Sequence, residues 1–506
     1  MTSPNLSRRQ LLRRLGAAGA GTVAAPWLAN LAALTSARAS GAGNYRALVC
    51  LYMYGGNDAY NTVLATDTDS WSAYIAARGV DGDPVSLPPP GALPVKGGGS
   101  FNAQLGGVLP IVPRNAQSRT FAVHPSLGSV PSLFAAGRLA IVPNVGPLVQ
   151  LTSKTDYMHN ALPLPPKLFS HNDQQSVWQS MQPEGATVGW GGAMVDLVGS
   201  GNTNPIFTSI TTGGPSVWLA GNTAHAYSLS LDGPIGIGSL DGTLFNSAVA
   251  QQQLMAISRS TRESQYFEQD HAAVVARSQD ATAVLGPAYP GAGDGPWGTP
   301  NLPPGQLDPL LSYRAPSTGQ VALNPISAQL QAVARMMATQ SKLGMSRQIF
   351  FVAAQGFDTH SSQNTRHADL MAQLSQALSY WDATTRAMSM DQAVTLFTAS
   401  DFGRAFASNG NGTDHGWGGH HFVLGGGVKG GDIYGTFPTY GVSDGMGGFS
   451  SENQLADGVL LPALAVDQYA ATLGTWLGVS GSQLTTVMPN LAHWATPYWN
   501  LGFMGS

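Results

Sequence analysis

Cysteine is almost missing from this chain: Cys50 is the only one in 506 residues, so no intrachain disulfide can form. A fold of this length has to hold without covalent staples. Charge is sparse as well. Only 10% of residues are Asp, Glu, Lys or Arg and the formal net charge is -4, which excludes the basic surface that a nucleic acid requires. All five basic residues before Ala39 (Arg8, Arg9, Arg13, Arg14, Arg38) are unopposed by any acid there, so the chain beyond that segment carries about -9 by the same counting. Past the N-terminal segment no apolar run approaches the roughly 18 residues of a spanning helix, so no stable membrane span is expected once that segment is cleaved. Internal repeats and heptads are also lacking, which argues against solenoids and coiled coils.

What the chain does have is apolar mass, at 43% of residues, together with 62 Gly and 33 Pro that predict long ordered loops over a globular body. The start reads as an address. Ser7-Arg8-Arg9-Gln10-Leu11-Leu12 is a twin-arginine signature, Leu15 to Leu34 is small and apolar, and Ala37-Arg38-Ala39 fits a small-x-small cleavage site. Residues 1–39 are therefore read as a signal peptide, with the twin-arginine translocase as partner and a periplasmic or secreted destination. That route carries proteins already folded, which suits a fold without disulfides. Cys50 lies within the first apolar run and reads as a small buried hydrophobe rather than a nucleophile.

Residues 40–506 read as a single α/β domain. A strand over 46–54 is followed by a helix face at Leu127, Val130, Leu133 and Phe134, and then by a strand from Leu139 to Val142, which together predict a β-α-β beginning. Residues 205–245 read as short strands and turns, 247–285 as one long helix, and the Pro/Gly-rich stretch around 286–320 as an inserted loop region. The alternation then resumes: a helix from Ile326 to Met337, a strand over 348–353, a helix from Leu370 to Trp381, a strand over 393–398, and a last helix from Asp467 to Leu477. Such alternation predicts a mostly parallel sheet with helices on both faces.

Four motifs sit where such a sheet builds its sites, beyond the carboxyl ends of its strands. Asp58 follows Gly55-Gly56-Asn57, either as an exposed carboxylate or as an ordinary turn residue. Asp358 and His360, one residue apart, point the same way in extended backbone and can share one ion, or else they cap a helix. Asp401 ends a strand too apolar to carry a lone charge; Arg404 is either its partner or a contact for an anionic substrate. Asp414-His415 precedes Gly416-Trp417-Gly418-Gly419-His420-His421, and His415 is preferred as a ligand over the two histidines that begin the next strand. Separately, Ser170 and His171 stand at a helix start, where backbone N–H groups attract anions. Convergent Asp and His predict a divalent cation, whether Zn, Mn, Mg or Ca.

These motifs resemble a known family. Gly-Gly-Asn-Asp-x-x-Asn-Thr from Gly55, Leu-Phe-Ser-His-Asn-Asp-Gln-Gln over 168–175, Gly-Phe-Asp-Thr-His from Gly356, Ser-Asp-Phe-Gly-Arg from Ser400, Asp-His-Gly from Asp414, Gly-Gly-Gly-Val-Lys-Gly-Gly over 425–431 and Val-Asp-Gln-Tyr-Ala-Ala-Thr-Leu over 466–473 are similar to the bacterial family catalogued as domain of unknown function 1501. That family is distantly similar to the alkaline phosphatase and sulfatase superfamily. The resemblance implies an alkaline-phosphatase-like fold, with Asp58, Asp358, His360, Asp401 and His415 as metal ligands and Ser170 as the nucleophile. Two departures stand out: the middle pair has one intervening residue where phosphatases have three, and Phe402 occupies the place of an expected ligand. The expected function is exported, metal-dependent hydrolysis of a small anionic ester, phosphate ahead of sulfate, with Ser170, His171 and Arg404 as catalytic groups and Thr62 as reserve nucleophile. The alternative is a non-catalytic periplasmic binding or assembly protein that retains the fold.

Overall fold

Arg46 to Met53 is apolar after its first residue, and seven of its eight residues are buried, the mark of a strand covered on both faces. It is β1, near the middle of the main sheet. The computed structural model describes residues 44–80, 82–235, 244–260 and 265–505; the segment 1–39, read from sequence as a signal peptide, lies outside the described residues. Arg46–Ser506 forms one compact unit. After β1 come β2 (Val63–Ala65), β3 (Leu109–Ile111), β4 (Phe121–Val123), β5 (Leu139–Gly146), β6 (Ser209–Thr211) and β7 (Ala226–Ser228). The second half adds β8 (Ser312–Arg314), β9 (Val321–Leu323), β10 (Arg347–Ala354), β11 (Val394–Ser400), β12 (Gly419–Leu424) and β13 (Leu464–Ala465).

Eight strands make the main sheet in the order β13-β5-β12-β11-β1-β10-β6-β7. It is mixed and mostly parallel: only β12 runs against its neighbours β11 and β5. On one face Leu48, Cys50, Tyr52, Phe351 and Phe397 pack with Trp178, Trp190, Met194, Tyr469 and Leu473, which come from helices His171–Ser180, Trp190–Val198 and Val466–Leu477. Pro325–Met337 packs on β10 from the other side, with Gln363–Ala387 beside it. The α/β class with a largely parallel sheet is as the alternation predicts.

Three local readings need correction. The expected β-α-β opening does not form: Val130–Ala135 is a helix, but β5 lies three places from β1 and pairs antiparallel with β12, while β2, β4 and β3 make a small antiparallel sheet of their own. The long helix over 247–285 is two helices, Ala248–Ser258 and Tyr266–Leu285. The region 286–320 is not bare loop either, since it holds β8, which forms a hairpin with β9. Gly55 and Gly56 then fix the end of β1. Gly55 has φ +114° and a side chain there would meet the backbone nitrogen of Asp358 at 2.2 Å, so the chain after β1 passes against the chain after β10 only because the residue is glycine.

Candidate metal centre

β10 ends at Ala354 and delivers Asp358 and His360; β11 ends at Ser400 and delivers Asp401; the loop before β12 delivers Asp414 and His415. A fourth element comes from outside the sheet: helix His171–Ser180 places His171 at its first position. Just before it, Phe169 holds a left-handed φ of 71°, a costly conformation for a bulky residue, and its carbonyl accepts from Nδ1 of His415 at 2.8 Å.

Each of three imidazoles is oriented by an acceptor on one nitrogen and presents the other to the same point. His171 Nδ1 lies 2.7 Å from Oδ2 of Asp401, and His360 Nδ1 lies 2.9 Å from Oδ1 of Asp414. Their Nε2 atoms, with that of His415, stand 3.7, 3.2 and 3.6 Å from Oδ1 of Asp358 for His171, His360 and His415. A carbonyl and two carboxylates only accept, so their positions assign a proton to each Nδ1 and a lone pair to each Nε2 of a neutral ring. Yet His360 Nε2 and His415 Nε2 are 2.8 Å apart. Two lone pairs at that separation repel unless a proton or a cation lies between them. Carboxylate- or carbonyl-oriented imidazoles with free Nε2 atoms are the supporting arrangement found around bound metals. His171, Asp358 and His415 offer ligand atoms that all lie within 4.8 Å of one another.

The electrostatics favour the ligating forms. Burial opposes ionisation of Asp358, but the hydrogen bond and charge of Arg404 outweigh it and hold its carboxyl below the usual range. Asp414 is held low in the same way, burial being outweighed by its bonds to Asn409 and His360. Burial pushes His415 down, toward the neutral ring that a metal requires. The hydrogen bond that His171 donates to Asp401 raises its pKa, a preference that a bound cation would reverse.

The sequence candidates divide cleanly. Asp358, His360 and His415 meet at one point. Asp401 does not face it: Oδ2 takes His171, Gln175 Nε2 at 2.8 Å and the Gly55 N–H at 3.0 Å, which makes Asp401 the support of His171 rather than a member of the cluster. His171, expected among catalytic groups, stands in the cluster with Asp358, His360 and His415. Asp58 is fully buried, forked onto Arg78 at 2.6 and 3.0 Å and bonded to Gln363 at 2.5 Å, so its oxygens are spent. Arg404 is fully buried too and pairs with Asp358 at 2.9 Å, not with Asp401; its terminal nitrogens also donate to the Gly55 and Thr413 carbonyls, while Nε is buried without a partner among the described residues. Ser170 Oγ donates to Asp173 at 2.9 Å, and Thr62 Oγ1 donates to the Asp58 carbonyl at 2.7 Å. His420 and His421 are buried within β12.

Sequence reasoning missed the support roles of Asp414, Gln175 and the Phe169 carbonyl. One signal was present: His171 and Gln175 are four apart, so they share a helix face and reach the same carboxylate. Phe402 packs beside the rings of His171 and His415, with centroids at 4.8 and 4.7 Å, as an apolar wall against a pair of imidazoles that are themselves 4.4 Å apart.

Compared with known families, residues 45–488 match the model described as Protein of unknown function (DUF1501). No curated protein matches the chain.

Proposed function

The chain belongs to the DUF1501 family, and on that premise we propose that it is an exported, metal-dependent hydrolase of small anionic esters, phosphate ahead of sulfate. One observation carries the reading: three imidazoles, each fixed by an acceptor on Nδ1, turn Nε2 toward one oxygen of Asp358. His171, Asp358 and His415 would hold the ion, with His360 beside them. Imidazole-rich donors suit zinc and neighbouring transition ions better than the oxygen-seeking Mg, Ca and Mn. A bound divalent cation supplies Lewis acidity, polarising an ester oxygen and making water more acidic. The protein's own part is orientation. Arg404 keeps Asp358 ionised and in place, Asp401 keeps His171 turned inward, and Phe402 shields the inner side from solvent. Since the Ser170 hydroxyl is given to Asp173, water rather than Ser170 is assigned the attack. A serine at that place gives no support to a formylglycine sulfatase, which keeps phosphate ahead.

A second reading, a non-catalytic exported binding or assembly protein, is favoured by Arg404: the cation of the late motif is buried and occupied, so it cannot clamp a substrate anion. Metal analysis of the folded protein, followed by nitrophenyl phosphate and sulfate with Zn, Mn, Mg or Ca, separates the two. The hydrolase reading expects about one equivalent of metal, lost in His415→Ala, and phosphate-ester turnover that follows the metal. Bound metal without turnover selects the second reading, and protein that takes up no metal overturns the metal centre itself.

A further inference from the structure

Behind the cluster, the layer between helix His171–Ser180 and the ends of β1 and β11 is polar where a core is ordinarily apolar. Asp401 Oδ2 is crowded with three donors, whereas Asp401 Oδ1 is buried with no partner among the described residues. The hydroxyl of Tyr52 is buried without a partner as well, and so are both amide atoms of Gln174. Tyr52 and Asp401 are diagonal neighbours: β1 and β11 pair Tyr52 with Ala399 and Met53 with Ser400, so the next residues on that face are Tyr54 and Asp401. Gln179, two turns along the helix from His171, faces the hydroxyls of Tyr52 and Tyr54 without closing a bond to Tyr52. An acceptor and a donor, both buried and each unpaired, are costly apart. The Asp401 charge acts on the Tyr52 hydroxyl, and one water within reach of both would satisfy them, a polar site with two to four partners being what an ordered internal water needs.

We infer that Tyr52 is a positioning residue for the metal centre: through one ordered water it holds Oδ1 of Asp401, and thereby keeps Oδ2 of Asp401 against His171. The inference rests on the metal reading above for its consequence, but not for its geometry. Groups that orient a ligating histidine affect metal affinity by about ten- to a hundredfold when lost. Tyr52→Phe removes only the hydroxyl and keeps the ring contacts to Tyr54 and Phe351, at 4.6 and 5.9 Å between centroids.

The test uses the mature protein, wild type and Tyr52→Phe, labelled with 15N-histidine. In the metal-free state the ring signal of His171 reports its bond to Asp401, and zinc competition with a chromophoric chelator reports affinity. The expected result is a shifted, faster-exchanging Nδ1 proton of His171 together with zinc binding weakened about tenfold or more, at an unchanged melting temperature. An unchanged His171 signal overturns the inference whatever the zinc affinity. Wild type that binds no zinc overturns the metal reading instead, while the ring signal still decides the role of Tyr52. If Tyr52→Phe does not fold, a high-resolution crystal structure of the wild type decides: water between Tyr52 Oη and Asp401 Oδ1 upholds the inference, and a direct bond or an empty gap overturns it.

Discussion

Asp58 and Asp358 both follow strand ends through glycine turns, and their fates differ because of the arginine each one meets. Asp58 meets Arg78 with both side chains fully buried, so the fork is a structural ion pair. Burial alone would raise the Asp58 pKa, but the charge and bonds of Arg78 reverse that and hold it low. Removing one partner leaves an uncompensated buried charge. Asp58→Asn should therefore destabilise the protein by about 3–5 kcal/mol in urea unfolding while the folded fraction keeps its full metal content; loss of metal with stability intact would return Asp58 to the ligand set. Asp358 instead meets Arg404 with nearly half of its own side chain exposed, so one face stays open for an ion. The same logic separates Ser170 from a nucleophile. With its hydroxyl on Asp173, Ser170→Ala should keep kcat within about twofold of wild type on a phosphate ester, whereas a loss of about a hundredfold would reinstate covalent catalysis.

At the scale of elements, the strands before Asp358 and Asp401 were legible because they are buried on both faces and read as largely apolar, β-branched and aromatic runs. The helix carrying His171 was legible by its start, although it is mostly polar, because its N-cap position and acidic first turn are local features. Strand neighbours were not legible. Leu139–Gly146 has the pattern of any buried strand, and nothing in its apolar residues encodes that it pairs with Gly419–Leu424 rather than with Arg46–Met53. The site suffered from the same limit: spacing brought Asp358 and His360 together, but that Asp401 supports His171 depends on a helix and a strand 230 residues apart.

The last regular helix against the sheet, Val466–Leu477, shows a conflict between element and burial. Asp467 sits in its first turn, where the helix dipole welcomes a carboxylate, yet burial raises its pKa to about 7, with Asn490 as a weak partner. The sign follows directly. A carboxyl raised in the folded state binds its proton more tightly there, so its stabilising share is complete below the unfolded value near 3.8 and is lost as pH rises through about 7. Asp467→Asn should therefore be more stable relative to wild type at pH 8 than at pH 4, measured as the difference in melting temperature between the two proteins. A difference that does not change with pH would mean that the fold leaves the Asp467 pKa at its unfolded value.

At the scale of the whole molecule, the absence of disulfides, the low charge and the proposed metal bear on export together. Cys50 is buried in β1, so nothing in the chain requires an oxidising compartment for folding. A ligand that binds only the folded state stabilises it by mass action, about 2.7 kcal/mol at a hundredfold excess over Kd, so metal uptake before export would also favour the folded cargo that the twin-arginine route accepts. On the proposed export route Arg8 and Arg9 would be the handle, since that route reads the pair rather than the charge. With both changed to Lys, the formal charge is unchanged; the protein should stay in the cytoplasm as an uncleaved precursor, and that precursor, once purified, should already be folded and carry its metal. Normal export and cleavage after Ala39 would remove the twin-arginine reading. An unfolded retained precursor would instead show that folding waits for the destination compartment, and would separate the metal centre from the export step.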